Sequence, residues 1–117
     1  MIRPEEFKRR REELLENFSE ELAERSYESI EMKVNNSFYE YAENGRILIG
    51  DDHFDRPFEE ILKKYGVSVE KNPKLIDEIS ERANKKLEEF IKQNGWKLEC
   101  NANGNNYIQP LATESED

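Results

Sequence analysis

The chain has 117 residues, of which 38% are charged and 35% apolar or aromatic, and its formal net charge is −9. That length fits one domain, and so polar a composition excludes a thick core, since ordinary globular domains are ~45–50% apolar. The excess negative charge disfavours direct binding to nucleic acid, whose phosphates it repels, and favours a protein partner with a basic surface.

Pro4, followed by Glu5 and Glu6, reads as a helix start, because a missing N–H costs nothing in the first turn and carboxylates there face the positive end of the dipole. Phe7, Leu14, Leu15, Phe18 and Leu22 then recur at helical spacing, which predicts a helix over about 5–32. The stripe can be continued through Ile30, Val34, Phe38 and Tyr41, but Ser26, Ser29, Asn35, Asn36 and Ser37 lower helix propensity and can end or bend it. Glu43-Asn44-Gly45 allows two structures: a helix cap with Gly45 left-handed, or a hairpin turn between Phe38–Ala42 and Arg46–Ile49. Tyr39 and Tyr41 alternating with Glu40 favour the hairpin. Ile47, Leu48 and Ile49 suit a strand buried on both faces.

Asp55 is placed to cap a short helix with Pro57 in its first turn, Phe58, Ile61, Leu62 and Tyr65 on its buried side, and Gly66 at its end. Asn72-Pro73 repeats the device before the cleanest amphipathic pattern in the chain, Leu75, Ile76, Ile79, Ala83, Leu87, Phe90 and Ile91, which stops at Asn94-Gly95. Trp96, Leu98 and Cys100 alternate with Lys97 and Glu99; after a loop around Gly104, Tyr107 and Ile108 complete a hairpin stopped by Pro110. The expected architecture is α+β: a long N-terminal helix, two further helices and a small antiparallel sheet, its strands joined from both ends of the helical pair with helices on one face. Residues 1–111 form one domain, and 112–117 are an acidic tail expected to be disordered.

Between Glu12 and Glu31 stand eight glutamates, Glu12, Glu13, Glu16, Glu20, Glu21, Glu24, Glu28 and Glu31, against one basic residue, Arg25. On a helical wheel they oppose the apolar stripe, as carboxylates ready to meet a cationic surface or merely to stay hydrated. Asp51, Asp52 and Asp55 surround His53, the only histidine; oxygen and imidazole ligands of this type suit a divalent cation, with Asp52, His53 and Asp55 as candidates, although helix capping and a turn explain the same carboxylates. In the basic run Lys8 to Arg11, four-residue spacing pairs Glu5 with Arg9, Glu6 with Arg10 and Arg9 with Glu13. Cys100 shares a strand face with Trp96 and Leu98, which suggests packing, and a single cysteine excludes an internal disulfide. Phe38, Tyr39, Tyr41, Trp96 and Tyr107 are expected on the β element, as packing aromatics rather than a base-stacking platform. Asn101, Asn103, Asn105 and Asn106 either form the turn or present amides to a ligand.

No signal peptide and no span of ~20 apolar residues is visible, so a cytoplasmic protein without a membrane partner is expected. The chain carries no family motif. In size and charge it resembles the small acidic proteins of phages and mobile elements, which implies an inhibitor. The leading expectation is a non-enzymatic module without cofactor that docks its acidic face on a basic, nucleic-acid-binding surface of another protein. Two alternatives stand beside it: a self-associating accessory protein, a homodimer through Leu14, Phe18 and Leu22, and a metal-dependent hydrolase at Asp52, His53 and Asp55.

Overall fold

The computed structural model describes residues 1–111 and shows the mixed α+β architecture, with four helices and a three-stranded antiparallel sheet among those residues. The tail expected to be disordered, 112–117, lies outside the described residues. Helix α1 runs from Pro4 to Asn35, with proline in its first turn beside Glu5 and Glu6. The Asn-Asn-Ser cluster ends it: the Asn36 amide donates to the Met32 carbonyl at 2.8 Å and the Ser37 hydroxyl to the Lys33 carbonyl at 2.5 Å. Ser26 lies inside the helix and is buried, beside a small cavity.

Residues 38–42 are not a strand. They belong to a short helix, α2 (Phe38–Asn44), which Gly45 closes in the left-handed conformation at φ +71°. Tyr41 turns inward and meets Trp96 edge to face at 5.8 Å, while Phe38 and Tyr39 stay exposed, so aromatic alternation did not mark a strand here. Strand β1 (Ile47–Ile49) therefore takes its partner from the far end of the chain. It is buried on one face only: Ile47 and Ile49 point inward, and Leu48 is 42% exposed.

Helix α3 (Asp52–Tyr65) starts earlier than Asp55 suggested. Asp51 holds the N-cap position without a side-chain cap, Asp52 and Asp55 lie in the first turn, and Pro57 is buried inside the helix. The proline removes the one bond its N–H would make to the His53 carbonyl, a loss the helix sustains while Pro57 adds apolar surface to the interior. Gly66 ends α3 as expected. Helix α4 (Pro73–Gln93) and the hairpin of β2 (Trp96–Cys100) and β3 (Asn106–Pro110) follow the sequence pattern, and β3 pairs with β1 on its other side, giving the order β1-β3-β2.

Cross-helix pairs give the helix directions. Glu12 meets Arg82 and Glu16 meets Lys86, both 70 residues apart, so α1 and α4 run parallel. Along α1, Glu21 meets Lys64, Arg25 meets Glu60 and Ser29 meets His53 at separations of 43, 35 and 24, so α3 runs antiparallel to it. Two apolar clusters lie along α1. Leu15, Phe18 and Leu22 pack with Ile61 of α3 and Ile76, Ile79 and Ala83 of α4. Further on, Ala23 and Ile30 pack with Leu87, Ile91 and the inner face of the sheet, Ile47, Ile49 and Ile108. Phe18 and Leu22 are thus consumed by the chain's own core, so of the stripe Leu14, Phe18 and Leu22 only the partly buried Leu14 keeps exposed surface. The radius of gyration is 16.9 Å, against ~13 Å for a rounded domain of this length, because the long axis reaches 62 Å.

Candidate functional site

The eight glutamates between Glu12 and Glu31 divide into two sets by what they reach. Glu12, Glu16 and Glu21 lie on the flanks and reach neighbouring helices. Glu12 accepts from Arg82 at 2.7 Å, Glu16 from Lys86 at 2.7 Å, and Glu21 from Lys64 at 2.7 Å and from the Tyr65 hydroxyl at 3.3 Å. The Arg82 hydrogen bond holds Glu12 below the ordinary carboxylate pKa, and the Lys64 hydrogen bond does the same for Glu21. Their partners shift the other way: Arg82 rises through its hydrogen bond to Glu12, and Lys86 through its hydrogen bond to Glu16, with a smaller contribution from the charge of Glu20. Burial, then the nearby Glu21 charge, pushes the Tyr65 phenol up.

Among the described residues the other five have no hydrogen bond or ion pair to another helix. Glu13 pairs with Arg9 at 2.5 Å, and Glu31 accepts from the Tyr27 hydroxyl at 3.3 Å. Glu20, Glu24 and Glu28 are left, four residues apart in one row; among the described residues none of them has an ion-pair or hydrogen-bond partner, and all are exposed. Glu24 and Glu28 border an open cleft of about 580 Å³ between α1 and α3, whose other wall carries Arg56 and Lys64.

At the start of α1, Arg9 takes Glu6 at 2.6 Å together with Glu13, rather than Glu5, and Arg11 leaves the run to meet Glu78 of α4 at 3.1 Å. The basic tetrad is partly spent inside the fold.

The sequence did not show that His53 Nδ1 lies 2.6 Å from the Ser29 hydroxyl. A hydroxyl this close to an imidazole is the first contact of a nucleophile and its base. Ser29 sits inside α1, however, where the surrounding N–H groups are spent in helix bonds and cannot form an oxyanion hole, and among the described residues no carboxylate orients the ring. The contact acts as a tie between α1 and α3. Asp52 faces Arg56 at 3.9 Å, and among the described residues no group of three or more His, Cys, Asp or Glu side chains is gathered to hold a metal, so Asp52, His53 and Asp55 do not converge.

Cys100 is exposed rather than packed, its thiol 3.6 Å from the Asn101 carbonyl. The Asn101 side chain is used by the turn, accepting from the N–H groups of Asn103 and Asn105 at 3.0 Å. Of the aromatics expected on the β element only Trp96 and Tyr107 are there, and the guanidinium of Arg46 covers Tyr107 at 3.7 Å. A cavity of about 180 Å³ lies between α3 and α4, floored by Leu22 and Ala23 and walled by Phe54, Phe58, Ala83 and Leu87. It is smaller than the ~300–1,000 Å³ of pockets that enclose drug-sized ligands.

The interhelix partners Arg82 and Lys86 were legible in principle, since their four-residue step matches that of Glu12 and Glu16. No helix among the described residues is long and apolar enough to cross a membrane. No family model, no curated protein and no solved structure matches this chain.

Proposed function

We propose that the protein is a non-enzymatic binding module that docks the outward ridge of α1 on a basic surface of another protein, one that otherwise binds nucleic acid, and thereby inhibits it. The observation that carries this reading is the row Glu20, Glu24 and Glu28: exposed, aligned and without a hydrogen bond or ion pair among the described residues, while Glu12, Glu16 and Glu21 on the same helix have theirs. The flanks serve the fold. The ridge keeps its field for an external cation.

Spacing limits how far the ridge imitates a nucleic acid. Four residues of helix rise ~6 Å, whereas one strand of duplex carries a charge every ~3.4 Å. A sparse strip of this kind suits a local patch of lysines and arginines better than a channel that grips a long duplex.

The test compares two triple variants that remove equal charge. E20Q/E24Q/E28Q takes it from the ridge, and E59Q/E81Q/E89Q takes it from exposed glutamates elsewhere. With poly-lysine as probe at moderate salt, the ridge variant is expected to bind about tenfold more weakly than the control variant. Equal losses would reduce the ridge to a share of net charge. A host protein captured by wild type should be released by duplex DNA and missed by the ridge variant.

A further inference from the structure

Strands β1 and β2 are the two edges of the sheet, with β3 between them, and the edges are finished differently. On β1 the outward N–H of Leu48 donates to the Glu40 carboxylate at 2.7 Å, so α2 closes that edge. On β2, Leu111 N–H donates to the Gly95 carbonyl and Asn101 N–H to the Asn105 carbonyl, both at 2.9 Å. Residues 95, 97, 99 and 101 therefore turn their backbone groups toward β3. Trp96, Leu98 and Cys100 turn theirs outward, and among the described residues no hydrogen bond reaches those N–H and C=O groups. An open edge of this kind is a template for another strand.

We propose that β2 pairs antiparallel with β2 of a second copy about a two-fold axis at Leu98, which joins the two sheets into one. The strand is complementary to itself in that register. The axis sets Lys97 of each protomer opposite Glu99 of the other, Leu98 opposite Leu98, and Trp96 opposite Cys100. The residues that bond across the seam are then the ones whose backbone groups point outward, each pair exchanging both N–H···O bonds. Neighbouring registers fail. A slip of one residue brings inward-facing groups to the seam, and the symmetric registers on either side oppose Lys97 to Lys97 or Glu99 to Glu99. Lys97 already reaches Glu99 of its own strand at 2.8 Å, and the axis gives each a second partner across the seam. Five residues a side make a small interface, so the association is weak and reversible. No residue of the acidic ridge takes part.

Sedimentation equilibrium of the full chain, carried to ~1 mM, is expected to show a reversible dimer. K97E and E99K each place like charges opposite one another twice and are expected to weaken association about tenfold. An equimolar mixture of the two is expected to restore it, because residue 97 of one then faces residue 99 of the other with opposite sign. K97E/E99K, which exchanges the charges, should match wild type and replaces either single variant that loses its helical circular dichroism. A wild-type chain that is monomeric at every concentration overturns the proposal and leaves the edge to a foreign strand or to none. Wild-type association that the single variants leave unchanged, a mixture as weak as its components, or a monomeric double variant also overturns it.

Discussion

The cluster around Phe18 is filled from three helices, whereas the cluster around Ile30 is closed by a sheet whose strands come from positions 47–49, 96–100 and 106–110. In the first, Leu15, Phe18 and Leu22 meet Ile61, Ile76 and Ile79, and every contributing pattern has the helical period. In the second, Ala23 and Ile30 of the same helix meet Ile47, Ile49 and Ile108, so helical spacing and strand alternation must interlock. The helix is continuous through both. What changes is the partner, and with it the character of its inward face: Leu15, Phe18 and Leu22 fill the space against other helices, while the small Ala23 and Ser26 border the cavity of about 180 Å³.

Substitutions in the two clusters test whether they are one core or two. Phe18→Ala removes a fully buried ring and should cost about 3–5 kcal/mol, read as a lower urea midpoint. Ile49→Ala, in the second cluster, should cost about 3 kcal/mol. Both are expected to shift a single transition seen by helical and Trp96 signals together; separated transitions would mean that the clusters unfold independently. Gly45→Ala forces a side chain into the left-handed region at the end of α2 and should lower the urea midpoint by the equivalent of about 1 kcal/mol. Glu40→Ala frees the Leu48 N–H and should cost roughly 1 kcal/mol, with faster hydrogen exchange at Leu48. Lys64→Ala breaks an exposed tie beside the first cluster and should cost under ~1 kcal/mol.

Acid probes both regions at once. Glu21, through the Lys64 hydrogen bond, and Glu40, through the Leu48 N–H, titrate below the ordinary 4.5 in the folded chain. Between their folded and ordinary values the unfolded chain binds more protons, so stability is full above the ordinary value and is lost as pH falls through the folded ones. Urea midpoints should therefore drop below about pH 4.5, and E40Q should drop less steeply than wild type. An equal slope would detach Glu40 from the acid response.

The helix-built region was readable from the sequence because its signal is local. Phe18 and Leu22, or Ile76 and Ile79, announce their burial by spacing alone. The sheet end was less so. Residues 38–44 had a helix propensity and an alternation of tyrosines that pointed opposite ways, and what decided between them was tertiary: Tyr41 meeting Trp96, and Glu40 meeting Leu48, whose positions along the chain carry no mark of the encounter. Asp55 resembles a cap because a proline two residues on suits a first turn, whereas the helix starts at Asp52 and runs through Pro57. The acidic face was legible as composition. Its division into tied flanks and a free row depended on where α3 and α4 came to lie, and on that division the proposed site rests.

Because α1 borders both clusters over 32 residues and has no proline or glycine past its first turn to act as a joint, it couples the two ends of the molecule through one continuous element. Slow exchange of the amides at its middle should accordingly report the opening of the entire protein, and a load taken up by the ridge would pass along this spine to the sheet at its far end.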